Sequence, residues 1–241
     1  MTKTTTLVLM TCLALAGASN VSAQVQPAFG TQRFVSVNVG AQPARTNLNT
    51  GATFPIHDET GSFSARHGVK NGPFVEASAG VNVWRQLSVG VGYSAFSSNS
   101  NASVTATIPD PLFYDHPGTS TQVALLARRE RGVHLMVGWL MPVTDKIDVT
   151  LSVGPSFILV RQQIVSSVTV PVGTQTFSTN VSAETGTVKG VNVGFDGTYM
   201  FSPTFGAGLL IRYAGGTVDL PSVEGVKAGG FQAGIGARLR F

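Results

Sequence analysis

The chain has 241 residues, of which 43% are hydrophobic but only 12% are charged, and its formal net charge is +4. Ordinary soluble domains carry about 25% charged residues, roughly twice this share. The low charge content is therefore unusual for a soluble domain, and the small positive charge gives no support to a nucleic-acid-binding protein.

The amino-terminal residues 1–23 have the pattern of a secretory signal peptide. Lys3 precedes an apolar run over residues 7–18, and Val21-Ser22-Ala23 provides the small residues of a cleavage site. The run is shorter than the ~20 residues that a membrane-spanning helix needs. We predict cleavage after Ala23, which removes Cys12, the sole cysteine, and with it any disulfide or cysteine-based metal site. Residues 24–241 then form one domain whose net charge is +3, because Lys3 is lost from the +4 of the whole chain.

Hydrophobic and polar residues alternate in eight later segments, which predicts eight β-strands. The apolar positions of these segments fall within residues 35–41, 75–83, 87–95, 133–141, 147–159, 191–201, 205–213 and 231–241, and none of these positions is charged. The predicted domain has no run of 18 apolar residues, so a spanning helix is excluded and only a closed barrel could cross a bilayer. An apolar outer face and a polar inner face are typical of such a barrel.

The connections between the predicted strands alternate in length. Three short ones (85–86, 142–146 and 202–204) separate four long ones (45–72, 97–121, 161–186 and 214–228). Outer membrane barrels have short periplasmic turns and longer extracellular loops, so we expect both chain ends in the periplasm. Residues 104–108 and 168–172 still alternate, which predicts hairpins that rise above the membrane. Pro155 deletes a ladder hydrogen bond and predicts a bulge or a local bend.

Aromatic residues gather near both ends of the predicted strands, as in the girdles at the two membrane–water boundaries. The turn-end group is Trp84, Trp139, Phe201, Phe205 and Phe241, and the loop-end group is Tyr93, Phe157, Tyr213 and Phe231.

Together these features resemble the small eight-stranded outer membrane β-barrel proteins of the OmpA and OmpX type. The resemblance is carried by the signal ending at Ala23, the eight amphipathic strands and the terminal segment Gly236-Ala237-Arg238-Leu239-Arg240-Phe241. It implies an all-β, eight-stranded antiparallel up-and-down transmembrane barrel over residues 24–241, in the outer membrane of a Gram-negative-type bacterium. It also implies that Gly236, Leu239 and Phe241 form the signal read by the barrel assembly machinery.

The polar face of the predicted strands carries seven ionisable residues: Glu76, His134, Asp148, Asp196, Arg212, Arg238 and Arg240. The interior of an eight-stranded barrel is just wide enough for side chains to fill it. Because an unpaired buried charge is costly, we expect these residues to form a network of ion pairs and hydrogen bonds. A gated polar path for ions or small solutes is the alternative.

Arg128, Arg129 and Arg131 form a basic cluster near the loop end of the fourth predicted strand. Arginine binds phosphate well, so the cluster is a candidate contact for lipopolysaccharide. Its alternative is a solvated hairpin that carries charges above the membrane. The expected partners are outer membrane lipids, lipopolysaccharide and the barrel assembly machinery, without nucleic acid, and the expected oligomeric state is a monomer.

The sequence contains no recognisable catalytic motif. The four histidines are His57, His67, His116 and His134, and none lies in a His-x-Ser-Asn motif of the kind that lipid-modifying barrels use. No ligand spacing points to a metal site or a cofactor. We therefore expect a non-enzymatic outer membrane protein with a structural or surface-interaction role through four extracellular loops. A narrow pore and a lipid-modifying enzyme remain as alternatives.

Overall fold

A computed structural model describes residues 32–43 and 46–241, so the predicted signal peptide lies outside the described residues. The described residues form ten strands, all of whose pairings are antiparallel. They are β1 (Arg33–Gln42), β2 (Thr46–Ile56), β3 (Glu59–Val69), β4 (Gly72–Trp84), β5 (Leu87–Ile108), β6 (Gly118–Pro142), β7 (Ile147–Thr169), β8 (Ser178–Met200), β9 (Phe205–Leu220) and β10 (Val223–Arg240). In this part of the chain no helix is long and apolar enough to cross a bilayer.

Eight of the strands close into a ring. Its order is β1, β4, β5, β6, β7, β8, β9 and β10, and β10 pairs back onto β1. At the seam Phe34 lies opposite Arg240, and Arg33 and Phe241 exchange backbone hydrogen bonds of 2.9 and 3.1 Å. The predicted eight-stranded antiparallel barrel is therefore confirmed.

The two faces of the ring differ in polarity because successive side chains of a strand point to opposite sides. Along β5, for example, Val89, Val91 and Tyr93 point outward and are exposed, whereas Ser88 and Ser94 are buried inside. The same pattern runs around the ring, and it leaves a broad apolar belt on the outer surface. The predicted apolar-out, polar-in arrangement is thus the observed one.

The aromatic residues of both predicted girdles are exposed on the outside of the ring. At one end Trp139 lies opposite Leu87, and Phe205 lies opposite Leu239. At the other end Tyr213 and Phe231 are direct cross-strand partners. The bands border the apolar belt, as the aromatic girdles of outer membrane barrels do.

The first long connection contains a hairpin that the sequence did not predict. Strands β2 and β3 pair along their whole length and are joined at His57-Asp58, whose φ angles are 52° and 57°. Two successive positive φ angles are the mark of the type I′ turn that suits a two-residue hairpin. Strand β3 then pairs with the upper part of β5, Ser62 to His67 against Ala102 to Thr107. Residues 46–69 of the connection predicted as a loop over 45–72 are therefore a hairpin that extends the sheet, and not an open loop.

Strands β5 to β8 have 22 to 25 residues each, whereas a spanning strand needs only ~9–11. The surplus continues above the loop-end girdle as a second layer of structure, which we call the extension. At ~3.3 Å per residue and a tilt of ~45°, the surplus of about 11 to 16 residues rises roughly 26–37 Å. The predicted hairpin segment 104–108 lies in β5, and β7 reaches Thr169 in the other predicted segment.

The extension has its own apolar core, because the inward face of the strands changes from polar to apolar above the belt. The core residues are Phe63, Ala65, Ala102, Val104, Ala106, Ile108, Ala124, Leu126, Val165 and Phe177. They come from β3, β5, β6, β7 and the β7–β8 loop. This part of the molecule is therefore packed inside like a soluble protein.

Pro155 interrupts the β6–β7 ladder without shifting its register. The pairs His134↔Ser156 and Val137↔Val153 flank the gap and keep the same alignment. The Nδ2 atom of Asn192 donates across the gap to the carbonyl oxygens of Leu135 (3.2 Å) and Gly154 (3.0 Å). The expected irregularity is thus a ladder interruption filled by a side chain, and not a bulge.

Candidate functional site

The inward arginines at the turn end of the lumen pair with aspartates on the facing strands. Arg238 binds Asp196 at 2.5 Å and also donates to Asn38 Oδ1 at 2.8 Å. Arg240 forms an ion pair with Asp148. These four ionisable residues were all assigned to the interior from the sequence, and the structure brings them together as two pairs.

In the middle of the lumen Arg212 is the central side chain, and it is only 1% exposed. Its Nη1 lies 3.3 Å from Glu76, and its Nε and Nη2 donate to Gln232 Oε1 at 3.0 and 2.7 Å. The other carboxylate oxygen of Glu76 accepts from Asn38 at 2.5 Å. Strands β9, β10, β4 and β1 are therefore joined across the barrel by a single cluster.

A third cluster lies in the lumen at the level where the extension begins. Arg128 Nε lies 2.7 Å from Glu130, and its Nη2 donates to the carbonyl oxygen of Lys227 at 2.6 Å. Glu130 also accepts from Gln42 at 3.1 Å and from the backbone N–H of Gly229 at 2.9 Å. This buried carboxylate thus has a donor from each of three strands of the ring.

The position of Arg128 corrects the sequence analysis, which grouped it with Arg129 and Arg131 on the surface. Arg128 is 2% exposed and points inward, whereas the other two are exposed on the outer face. The reason is the two-residue period, because Arg128 and Glu130 share the parity of the inward His134. That parity was the signal that could have assigned both to the lumen, and the role of Glu130 was missed.

The clusters are connected into one chain of hydrogen bonds along the lumen. Gln232 donates to Gln42 at 2.7 Å, and Gln42 donates on to Glu130, which joins the middle cluster to the upper one. Arg128 continues the chain to Gln162 at 3.2 Å. Polar side chains therefore cross the interior from the turn end to the extension.

The turn-end half of the lumen keeps a cavity of about 90 Å³. Arg238, Asp196, Met136 and Ser88 are among the residues that line it. A buried water needs a cavity of at least ~10–15 Å³, so this cavity has room for several water molecules.

His134 lies between two serines in the lumen and is fully buried. Ser94 Oγ is 2.8 Å from its Nε2, and Ser156 Oγ is 2.7 Å from its Nδ1. Ser156 in turn accepts from Asn192 at 2.9 Å. Neither ring nitrogen contacts a carboxylate, so this arrangement lacks the acid that orients the base in a Ser-His-Asp triad.

His67 of the extension lies at the upper end of the same hydrogen-bond chain. Gln162 Nε2 donates to its Nε2 at 3.3 Å, and its Nδ1 is buried without a partner among the described residues. Burial lowers the pKa of His67, and the nearby charge of Arg128 lowers this pKa further. His67 is therefore neutral in the folded protein near neutral pH.

The three residues assigned to the assembly signal lie on β10 and at its end. A Cβ atom at Gly236 would lie 1.8 Å from the carbonyl oxygen of Val37, so the close approach of β1 requires glycine there. Leu239 is half-buried opposite Phe205, and Phe241 is exposed on the outside. Recognition of these residues by the assembly machinery stays a prediction.

The ring of eight strands has counterparts among solved structures. The outer membrane protein OprG from Pseudomonas aeruginosa is 10% identical, with a TM-score of 0.50 over 90% of this chain and 99% of that chain. Neisserial surface protein A (NspA) is 14% identical, with a TM-score of 0.49 over 87% of this chain and 97% of that one. For the attachment invasion locus protein Ail of Yersinia pestis the identity is 12% and the TM-score 0.42, over 88% and 99% of the two chains.

No protein-family profile matches the chain, and no curated protein has a significantly similar sequence. At these identities the likeness concerns the fold. Closure into eight antiparallel strands, an apolar outer belt and a polar lumen are the features that carry it. The chain therefore has the fold of the small eight-stranded outer membrane β-barrel proteins, of the OmpA and OmpX type.

Proposed function

We propose that this protein is a monomeric barrel of a bacterial outer membrane, with a lumen closed to solutes and a structural and surface-interaction role carried by its extension. The observation that carries the proposal is the contrast between the two halves of the molecule. The lumen is filled by connected polar side chains. The long strands, in contrast, continue on one side of the apolar belt and form the ordered extension. The short turns and both described chain ends lie on the other side, which we place in the periplasm.

Closure of the lumen disfavours the pore alternative. An ion that crossed the barrel would have to break the Arg212–Glu76 pair and then the Arg128–Glu130 pair, both nearly fully buried. Separating a buried pair leaves an uncompensated charge, at a cost of about 3–5 kcal/mol. Two such barriers in series support a closed barrel.

The extension ends in an apolar tip that is suited to a contact with another molecule. Leu112, Phe113 and Tyr114 are 84%, 64% and 81% exposed. Their loop is held in place, since Asp110 accepts from the backbone N–H groups of Leu112 (2.8 Å) and Phe113 (3.1 Å), and Gln175 donates to Asp110. Large exposed apolar side chains on a fixed loop are typical of interaction sites.

The buried position of His134 supports a non-enzymatic role. A lipid-modifying enzyme needs its base and nucleophile where a lipid can reach them, and both serine partners of His134 face the sealed lumen. We infer that Ser94, His134 and Ser156 tie β5, β6 and β7 together. Lipid A isolated from cells that express the protein should therefore have an unchanged acylation pattern by mass spectrometry, and an altered pattern would overturn this inference.

Planar bilayer recordings test the closed lumen. The purified protein should give no single-channel steps, whereas the variant Glu76→Ala/Arg212→Ala/Arg128→Ala/Glu130→Ala should conduct, provided that it folds. Steady channel steps from the unaltered barrel would overturn the closure and favour the pore. Circular dichroism in the same detergent shows whether each sample is folded.

The surface role is tested with cells that display the barrel, on a panel of immobilised proteins and glycans. In a truncated variant an Asn-Gly turn replaces residues 99–127, which keeps the Ser98↔Arg128 pair. A second variant, Leu112→Ser/Phe113→Ser/Tyr114→Ser, leaves the strands intact, and Val143→Ser is its control at the periplasmic turn, where Val143 is 61% exposed. Both altered extensions should lose binding that the control keeps. Equal binding by all cells across the panel would overturn the role of the extension.

A further inference from the structure

Four outward cations on three neighbouring strands form a basic belt: Arg129 and Arg131 on β6, Arg161 on β7 and Lys189 on β8. The strand register brings them together, because Arg129 lies directly opposite Arg161, Arg131 lies opposite Leu159, and Phe157 lies opposite Lys189. All four side chains are exposed. Arg161 and Lys189 were not part of the cluster that the sequence indicated.

The belt is not neutralised by the protein itself. All four ion pairs among the described residues belong to inward arginines, and none includes a belt residue. Glu184, next to the cross-strand partner of Arg161, accepts from the hydroxyl and backbone N–H of Ser222 at 2.6 and 3.1 Å. Like charges in directly opposite positions of a sheet are destabilising. An external anion bound between Arg129 and Arg161 would therefore stabilise this pair.

The position of the basic belt relative to the apolar surface indicates which class of anion it would bind. On one side the exposed outward residues are apolar, such as Val133 and Leu159. On the other side they are mixed, because polar residues such as Asn99 occur together with the exposed Val123 and Leu125. The cations thus lie where the continuous apolar surface ends. A molecule that fills both regions has acyl chains on the apolar side and an anionic group at the border.

We propose that the basic belt binds the phosphate groups of a phosphorylated glycolipid of the outer leaflet. This inference rests on the proposed orientation, which places the extension outside the cell. The forked guanidinium groups of Arg129 and Arg161 match the geometry of phosphate oxygens, and a bound phosphate would relieve their mutual repulsion. The acyl chains would lie along the apolar outer surface of β6 and β8, below the basic belt.

The test uses the full-length barrel in a zwitterionic detergent with three probes: lipid A with two phosphates, lipid A without phosphates, and inorganic phosphate. Native mass spectrometry should detect retained bisphosphorylated lipid A on the unaltered protein. The variant Arg129→Gln/Arg161→Gln should lose about tenfold in affinity, as expected when two charge-assisted contacts are removed. The charge-matched control Arg66→Gln/Lys70→Gln removes two exposed cations outside the belt and should retain the lipid.

Thermal unfolding distinguishes a lipid site from a merely structural role. Without anionic lipid, Arg161→Gln should leave the unfolding temperature unchanged or raise it, because it removes a like-charge contact. With bisphosphorylated lipid A, the unaltered protein should gain stability that the variant does not gain. A lower unfolding temperature of the variant without lipid would contradict the proposal.

Three other binding results would overturn the proposal. Equal retention of both forms of lipid A, or equal binding of inorganic phosphate alone, would overturn a phosphoglycolipid site. Preferential binding of a soluble sulfated polysaccharide such as heparin over lipid A would replace the lipid by another class of polyanion. The closed lumen and the surface role are tested by conductance and by truncation of the extension, so a failure here leaves those results standing.

Discussion

At the scale of single residues, the inward charges are stabilised by specific partners across the lumen, and Arg212 is the most deeply buried of these charges. It is nearly fully buried and bonded to both Glu76 and Gln232. Arg212→Leu should lower the free energy of unfolding by about 3–5 kcal/mol, because it leaves Glu76 as an unpaired buried carboxylate. Adding Glu76→Leu should recover part of this loss, since the uncompensated charge is then removed.

Urea unfolding of the protein in lipid vesicles measures these free energies. The exposed Arg66→Leu serves as the control. If Arg212→Leu were no more destabilising than this control, the lumen cluster would not contribute as proposed.

At the same scale, burial of His67 predicts that the stability of the extension depends on pH. The pKa of His67 is lowered in the folded state, so the unfolded extension binds a proton near pH ~6.5 that the folded extension does not bind. Stability of the extension should therefore fall as the pH drops below about 6.5, and it should be fully present above that value. Limited proteolysis of the β2–β3 hairpin should be faster at acidic than at neutral pH, and His67→Gln should reduce this dependence. The same change at the exposed His116 should leave it intact; an equal pH effect in all three proteins would assign it to other groups.

At the scale of elements, the β2–β3 hairpin is an addition to a ring that closes without it. Strands β1 and β4 pair directly, up to Gln42↔Gly72, so a two-residue turn could join them. Replacing residues 43–71 with Asn-Gly should give a barrel that still folds. It should also uncover part of the extension core, including Ala102 and Val104, and so bind more of a hydrophobic dye and be cleaved faster in the extension. Loss of the folded barrel in this variant would show that the hairpin is needed for ring closure.

The β2–β3 hairpin is also the element that the sequence analysis failed to predict. The ring strands have a strict two-residue alternation of apolar and polar residues, because one face meets lipid and the other meets the lumen. Strand β3 does alternate, because Phe63 and Ala65 are buried whereas Ser64 and Arg66 are exposed. The hairpin was missed because its turn His57-Asp58 has no glycine to mark it and its sheet lies above the apolar belt of the ring.

At the scale of the whole molecule, closure of the sheet should make the barrel resistant to unfolding by dodecyl sulfate unless it is heated. Every ring strand has two hydrogen-bonded neighbours, so the ring has no edge from which it can open. The unheated protein should migrate faster than the boiled protein in a dodecyl sulfate gel, as a compact barrel does. Identical migration before and after boiling, with the protein folded by circular dichroism, would contradict the closed ring.

The sequence by itself determined the number of ring strands, the closed antiparallel architecture and the face occupied by the residues of the eight predicted strands. These follow from local alternation, because a strand side chain points to one side or the other according to parity alone. The tertiary structure decided which charges meet. Arg128 and Glu130 become part of a cluster in the lumen only because Gln42 and Gly229 approach Glu130 from strands far apart in the sequence. Likewise, Arg129 and Arg161 become neighbours only through the register of β6 and β7. Parity is a local property of the chain, whereas register and ring closure depend on contacts between distant segments.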